Sequence, residues 1–306
     1  MMRRVGYLAL AGLCSLSGSV VAQQGRASQE EIEAFVKAQA ERAARERPAI
    51  EARIRAAAAL PTPRTADDHP DLTGWWGAQG SNVQGNVADD GKVRKIEIVV
   101  PGGDFSQYEQ VNAARRRLNQ TNKPPYKPEL VSKVEWLDEH QNTEDPTGFS
   151  CWLSPGVPRI GAPSAILQSP GWVTFVYERA ENPNRFRIIP TDGRPHRGKN
   201  VDPSALGDSV GKWESDTLVI DTNRFIEETW LGDGYFHSDA LRVVERLTRQ
   251  GNTLKYEVTV EDPNVLTKPW IMEPRTFVMS GPVRPLEADL PCVERDREHL
   301  VGTLHN

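Results

Sequence analysis

Cysteine is scarce in this 306-residue chain, at three residues: Cys14, Cys151 and Cys292. No Cys-x-x-Cys pair and no His-Glu-x-x-His stretch occurs, so the strong metal-binding signatures are missing. No Gly-x-Gly-x-x-Gly follows a strand-like run, which removes the usual fingerprint of a nucleotide cofactor. The expectation is a chain with no cofactor and no dedicated metal site. A site built from His196, His237 and a carboxylate is the one metal alternative. A surplus of positive charge is missing too. Lys and Arg number 37 against 42 Asp and Glu, a net charge of -5. That balance lacks the basic footprint that nucleic acid requires. Long apolar runs are also absent. The longest, "VGYLALAGLCSLSG", is too short and too interrupted to span a bilayer. The partner expected is a small molecule, not nucleic acid and not a membrane.

What the N-terminus has instead is the pattern of an export signal. Arg3 and Arg4 supply the charged start, the apolar stretch comes next, and "VVA" before Gln23 is a small-residue cleavage site. Leu13 precedes Cys14, where a lipoprotein signal would carry a small residue. Residues 1–22 are therefore expected to be removed, and the mature protein to be periplasmic or secreted. Two cysteines would remain, Cys151 and Cys292. An even count in an oxidising compartment invites a disulfide. Two buried free thiols are the alternative.

Residues 28–60 differ from the rest. Ser28 with Glu31 three residues on forms a capping box, and Ala, Glu and Arg dominate the remainder of the segment. The apolar stripe is thin, so this helix is expected as a solvated arm or a self-association surface. Pro48 is expected to kink or split it. "LPTPRTADDHP" then reads as a linker, giving an arm-and-linker unit over 23–70. The globular part is expected over 71–306, with a helical or loop insertion at about 104–150.

From residue 165 onward, strand-like runs alternate with turn signals: Asn-Pro, Asp-Gly, Ser-Asp, Gln-Gly-Asn and Asp-Pro. Strands at short spacing without intervening helices predict a mainly β fold, an antiparallel meander. Closing such a sheet into a barrel removes its edges. Side chains alternate along a strand. In "HSDALRVVERLT" the apolar face holds Leu241, Val243 and Leu247, and it also carries Glu245 and His237. An inward carboxylate must be paired, neutral or working. In "NTLKYEVTVEDP" the inward set is Leu254, Tyr256, Val258, Val260 and Asp262. The hairpin "VGKWESDTLVIDT" turns at Glu214 to Asp216 and ends in Asp221.

"PTDGRPHR" concentrates chemistry in a bend. Gly193 and Pro195 shape it, and Asp192, Arg194 and His196 are displayed by it. Each acidic group beside a turn also has a plain role, since Asp bonds nearby backbone N–H groups. Glu245 can pair with an arginine, and His196 and His237 can be surface residues. "GDSVG" at 207–211 imitates a nucleophile elbow. That motif needs a strand–turn–helix setting, whereas this one continues into a hairpin, which argues against Ser209 as a nucleophile.

Several segments together resemble a large, mostly uncharacterised family of exported bacterial proteins. They are "CWLSPGVPR", "IIPTDGRPHR", "GDSVGKWESDTLVIDTNRF", Thr229-Trp230, "HSDALRVVER", Asp262-Pro263 and Pro269-Trp270. The resemblance covers about residues 71–302, and the family carries no activity to transfer. This chain departs from it at Ser154, at Ser215 and in a longer 104–140 region. "DLTGWWG" is similar to the Gly-x-Trp start of lipocalin-like barrels, so a lipocalin-like β-barrel is the fold expected.

Two functions arise as expectations, beside a structural or assembly role through the 28–60 helix. In the first, an exported cofactor-free enzyme performs hydrolysis, elimination or isomerisation by acid–base chemistry on a ring-bearing, largely apolar molecule. His196, held by Asp192, and His237 transfer protons. Glu214, Asp221 or Glu245 orients a ring nitrogen or supplies a second carboxyl. Arg159 and Arg194 bind an oxyanion or carboxylate, and Trp213, Trp230 and Trp270 form an apolar wall. In the second, the same barrel is a carrier of an apolar ligand. The two separate on one point: an enzyme must bring His196 and His237 to a single ligand.

Overall fold

The computed structural model describes residues 29–76, 82–87, 93–99, 122–140, 144–149, 153–178, 185–198, 200–232 and 234–286. Cys151 and Cys292 lie outside them, as do the signal segment and residues 104–121. Among the described residues, fourteen strands and two helices longer than one turn build the architecture. Helix α1 is Gln29–Ala58. Strands β1 (Gly74–Trp75), β2 (Asn82–Val87) and β3 (Val93–Val99) come next, then α2 (Val131–Glu139) and a single helical turn at Pro146–Phe149. The remaining strands are β4 (Ala165–Ser169), β5 (Trp172–Tyr177), β6 (Arg185–Pro190), β7 (Asp208–Glu214), β8 (Thr217–Asn223), β9 (Trp230–Gly232), β10 (Tyr235–Phe236), β11 (Arg242–Gln250), β12 (Thr253–Glu261), β13 (Trp270–Ile271) and β14 (Arg275–Val278).

Every ladder is antiparallel. One sheet has four strands in the order β1-β4-β5-β6. The larger has eight, in the order β3-β2-β14-β12-β11-β8-β7, with β13 beside β12. Alternation explains the larger sheet. Val243, Glu245 and Leu247 of β11 and Leu254, Tyr256, Val258 and Val260 of β12 all point into one core. Each such aliphatic side chain contributes about 1.5–3 kcal/mol on burial. On the four-stranded sheet the inward set is Ile166, Val173, Phe175, Tyr177 and Ile189. A bridge joins the two sheets on one side, where Trp75 pairs with Gly281. On the other side β6 and β7 meet without a ladder. The expected closure into a barrel is therefore not found among the described residues.

Helix α1 runs through Pro48 within a single span. Its C-terminal end is not free in solvent: Ile50 and Ala57 are buried, and Asn252 N–H donates to the Ala57 carbonyl. The segment after it is strapped across the sheets rather than loose. Arg64 pairs with Asp216 at 2.7 Å, His69 stacks on Trp213 at 4.6 Å, and Arg249 donates to the Asp71 carbonyl. Among the described residues no helix is long and apolar enough to cross a membrane.

Candidate functional site

The bend after β6 is a true turn. Gly193 has φ +83°, a left-handed conformation that favours glycine. Asp192 accepts from Arg194 at 2.6–3.1 Å, and Arg194 lies over the Trp172 ring at 4.4 Å. This pairing holds the Asp192 carboxyl down at about 2. Asp192 is thus occupied by Arg194 and is not the residue that orients His196.

That role falls to Asp208, which sequence reasoning missed. His196 Nδ1 lies 3.0 Å from Asp208 Oδ2, and a carboxylate can only accept, so Nδ1–H donates. Asp208 also accepts from the Arg197 backbone N–H at 2.9 Å and from the Arg197 side chain. Burial opposes ionisation of Asp208, and the Arg197 and His196 donors outweigh it, so its carboxyl sits below the ordinary range. His196 Nε2 has no hydrogen-bond partner and stands 3.8 Å from Asp221 Oδ2. Asp221 is engaged by Arg242 at 2.9 Å, and Arg242 reaches Glu261 at 2.8 Å. All of this lies on the outer face of β7, β8 and β11. Glu214 shares that face, paired with Lys212 at 2.7 Å and Arg246 at 3.0 Å.

His237 has a different setting. It is 4% exposed, and both ring nitrogens are engaged. Nδ1–H donates to the Ser238 carbonyl at 2.9 Å, and Nε2 accepts from the Thr229 hydroxyl at 2.8 Å. Burial lowers its pKa, against a smaller opposing effect of the Ser238 carbonyl. Asp262 fixes the neighbouring chain by accepting from Ser238 N–H at 2.7 Å and Ser238 Oγ at 2.9 Å. The two histidines share no partner among the described residues.

Glu245 is fully buried, as its place on the inward face of β11 predicts. Its partner, Arg187 of β6, crosses from the other sheet. Arg187 Nη2 sits 2.7 Å from Glu245 Oε2, with the two side chains 4% and 0% exposed. Tyr256 donates to Glu245 Oε1 at 2.8 Å. Arg187 also donates to Tyr177 Oη at 3.1 Å, Ser209 Oγ at 2.8 Å and Thr222 Oγ1 at 2.9 Å. Burial works against the guanidinium charge, but Glu245 and Tyr177 together outweigh it and keep Arg187 protonated. Burial also pushes the Tyr177 hydroxyl up to about 12. Arg187 Nε–H, sealed from water, has no acceptor. Ser209 is a strand residue inside this network, so it has no elbow geometry.

The other expected site residues scatter. Arg159 is held by Asp145 and by Thr147 at 3.0 Å. Trp213 lies under the strap against His69. Trp230 is buried in β9, and Trp270 meets Tyr235 edge-on at 6.2 Å and donates to Asn122. These rings have separate surroundings and do not form the expected wall around the histidines. Among the described residues no three His, Cys, Asp or Glu side chains are grouped as metal ligands.

A concave feature lies at the seam where β6 and β7 fail to ladder, a groove of about 340 Å³. Its β6 side presents Trp172, Phe186, Ile188 and Pro190. Its β7 side presents Leu206, Gly207, Ser209 and Val210. Arg194, Arg197 and Asp208 supply the charge, and Arg187 also lines it with its head group turned inward to Glu245. Phe186 is 63% exposed and Ile188 56%, so two large apolar side chains stand open here. Gly207 makes the close approach of the chain before β7 to the end of β8 feasible. Its φ is +69°, and a Cβ there would lie 2.7 Å from the Asn223 carbonyl oxygen. In comparisons with protein-family models, with curated proteins and with solved structures, nothing matches the chain.

Proposed function

We propose that this protein is an exported, lipocalin-like binding module. Its ligand is a small molecule with an apolar ring body, seated in the β6–β7 groove. The carrying observation is the groove itself: exposed Phe186 and Ile188 beside Trp172 and Pro190, in a concavity of about 340 Å³. Ligand sites are typically concave, mostly apolar and provided with a few polar groups. In this reading the sheets wrap as an open barrel, bridged at Trp75–Gly281 and split at β6–β7. The split replaces the usual interior as the binding place. The interior is filled by Phe175, Leu218, Ile220 and Leu247 around the Arg187–Glu245 pair.

The two-histidine enzyme has less support. His237 is engaged at both nitrogens, and His196 lies on the outer face. A second reading survives on one observation: the Asp208–His196 pair leaves Nε2 without a hydrogen bond, next to groove residues Pro195 and Arg197. In that reading His196 alone is the general base.

The test is equilibrium binding of small aromatic and polycyclic compounds to the wild type and to Phe186→Asp. Phe186 is open to solvent, so this change spares the core. The reading expects loss of binding in the variant with unchanged thermal unfolding. Binding that survives the substitution, or no binding by the wild type, overturns it. His196→Ala should bind normally; loss of turnover on a bound compound in that variant would favour the enzyme instead.

A further inference from the structure

Strand β6 sits in the register that its apolar residues disfavour. Arg187 and Ile189 point into the core, while Phe186 and Ile188 stand open to solvent. Side chains alternate, so a shift of one residue exchanges the two faces. The shifted strand would bury Phe186 and Ile188, expose Ile189 and return Arg187 to water. It would gain one large apolar side chain in the core and take no charge out of solvent. Hydrophobic patterning alone selects that other register.

The backbone does little to oppose the shift. Strand β6 is laddered on one side only, to β5. The connection from β5, residues 178–184, exceeds the two-residue turns that fix a hairpin's register. The opposing element is Glu245. Its strand, β11, is paired with β8 on one side and β12 on the other, which holds Glu245 in the core at 0% exposure. A carboxylate enclosed there demands a cation. Two arginines are buried among the described residues, Arg187 and Arg249. Arg249 is committed to the Gly251 and Asp71 carbonyls, which leaves Arg187. In the observed register Arg187 lies opposite Phe175 of β5 and reaches Glu245 at 2.7 Å, Ser209 of β7 at 2.8 Å and Thr222 of β8 at 2.9 Å. These bonds cross the seam where the ladder is missing.

We propose that the Glu245–Arg187 pair is a register lock: by holding Arg187 inward it holds Phe186 and Ile188 outward, in the groove. A buried polar pair that fixes registry is an established use of such groups in other folds. Arg187 and Glu245 are positioning residues that act through Phe186 and Ile188. The lock itself needs no ligand; its bearing on binding rests on the reading above.

The test reads the two faces of β6 separately in the full chain. Ile188→Cys reports the outer face through maleimide labelling, and Arg187 reports the inner face through phenylglyoxal, both resolved by mass spectrometry. With Glu245 in place, position 188 should react fast and Arg187 slowly. Adding Glu245→Leu or Glu245→Gln should reverse the pattern, slowing position 188 about tenfold or more while Arg187 becomes reactive. An unchanged pattern in both variants means that the pair only stabilises, and overturns the lock. Fast reaction at both positions in both variants reports unfolding without a second register, and overturns it too. Calorimetry with 2-acetylnaphthalene separates the lock from the ligand reading. Binding by the wild type that is lost in the reversed variant supports both. Absence of wild-type binding, or binding that survives the reversal, overturns the ligand reading and leaves the lock standing.

Discussion

Strand β11 carries charge on both faces, and the two faces handle it in opposite ways. Inward, Glu245 meets Arg187 with both side chains sealed from water; Tyr177, Ser209, Thr222 and Tyr256 bond to other atoms of the pair, and Arg187 Nε–H has no acceptor. Outward, Asp221, Arg242 and Glu261 form a chain in which each side chain stays about a third exposed or more. Neither member of the inner pair can be removed alone, because that strands a charge in a low dielectric. The outer chain is exchangeable, because water and salt can replace any member. The histidines show the same division. His237 is enclosed and bonded at both nitrogens, whereas His196 keeps one nitrogen unbonded.

The largest expected effect falls on the inner pair. Glu245→Ala should cost about 3–5 kcal/mol in urea unfolding, while the double change Arg187→Met with Glu245→Leu should recover most of it. A single substitution costing under about 1 kcal/mol would erase the contrast between the faces. His237→Ala comes next, at about 1–3 kcal/mol, because the ring's hydrogen bonds to the Thr229 hydroxyl and the Ser238 carbonyl are lost and the site loses packing. His237 also predicts a pH dependence. Its folded pKa is lowered, so the unfolded chain binds the proton first. Stability contributed above about 6.5 should decline as pH falls below that value. His237→Gln should flatten this decline, and an unchanged slope in that variant would contradict the enclosed, neutral state. Arg242→Ala should cost about 0–1 kcal/mol, and the loss should shrink in high salt. A large, salt-independent loss would mean that the outer web is no more replaceable than the inner pair.

How much of this was legible depends on whether a residue obeys the alternation of its own strand. Strands β11 and β12 do, so the inward place of Glu245, Tyr256 and Asp262 could be read directly. Strand β6 does not. Its apolar residues Phe186 and Ile188 point out, at 63% and 56% exposure, while Arg187 points in. Arg187 was missed because a charge between two large apolar residues reads as the solvent face. The signal that could have found it lay elsewhere: an inward Glu245 demands a buried cation, and β6 offers one two positions from Ile189. Asp208 was missed for a similar reason. The turn-adjacent Asp192 is four residues from His196, but its neighbour Arg194 takes it, and the partner comes from twelve residues on. Strand β2, with Gly85 at its centre, and the short β9–β10 hairpin carry too few alternating residues to be read. The linker's strap across the sheets rests on pairs 152 and 178 residues apart, Arg64–Asp216 and Asp71–Arg249, which no local pattern encodes.

The central claim is that the ligand place is the seam between β6 and β7, not a site shared by the two histidines. A crystal structure with 2-acetylnaphthalene bound tests it most directly. The account predicts density against Trp172, Phe186 and Ile188. Density between the sheets beside His237, or on the outer face against His196 and Asp221 with the groove empty, would contradict it.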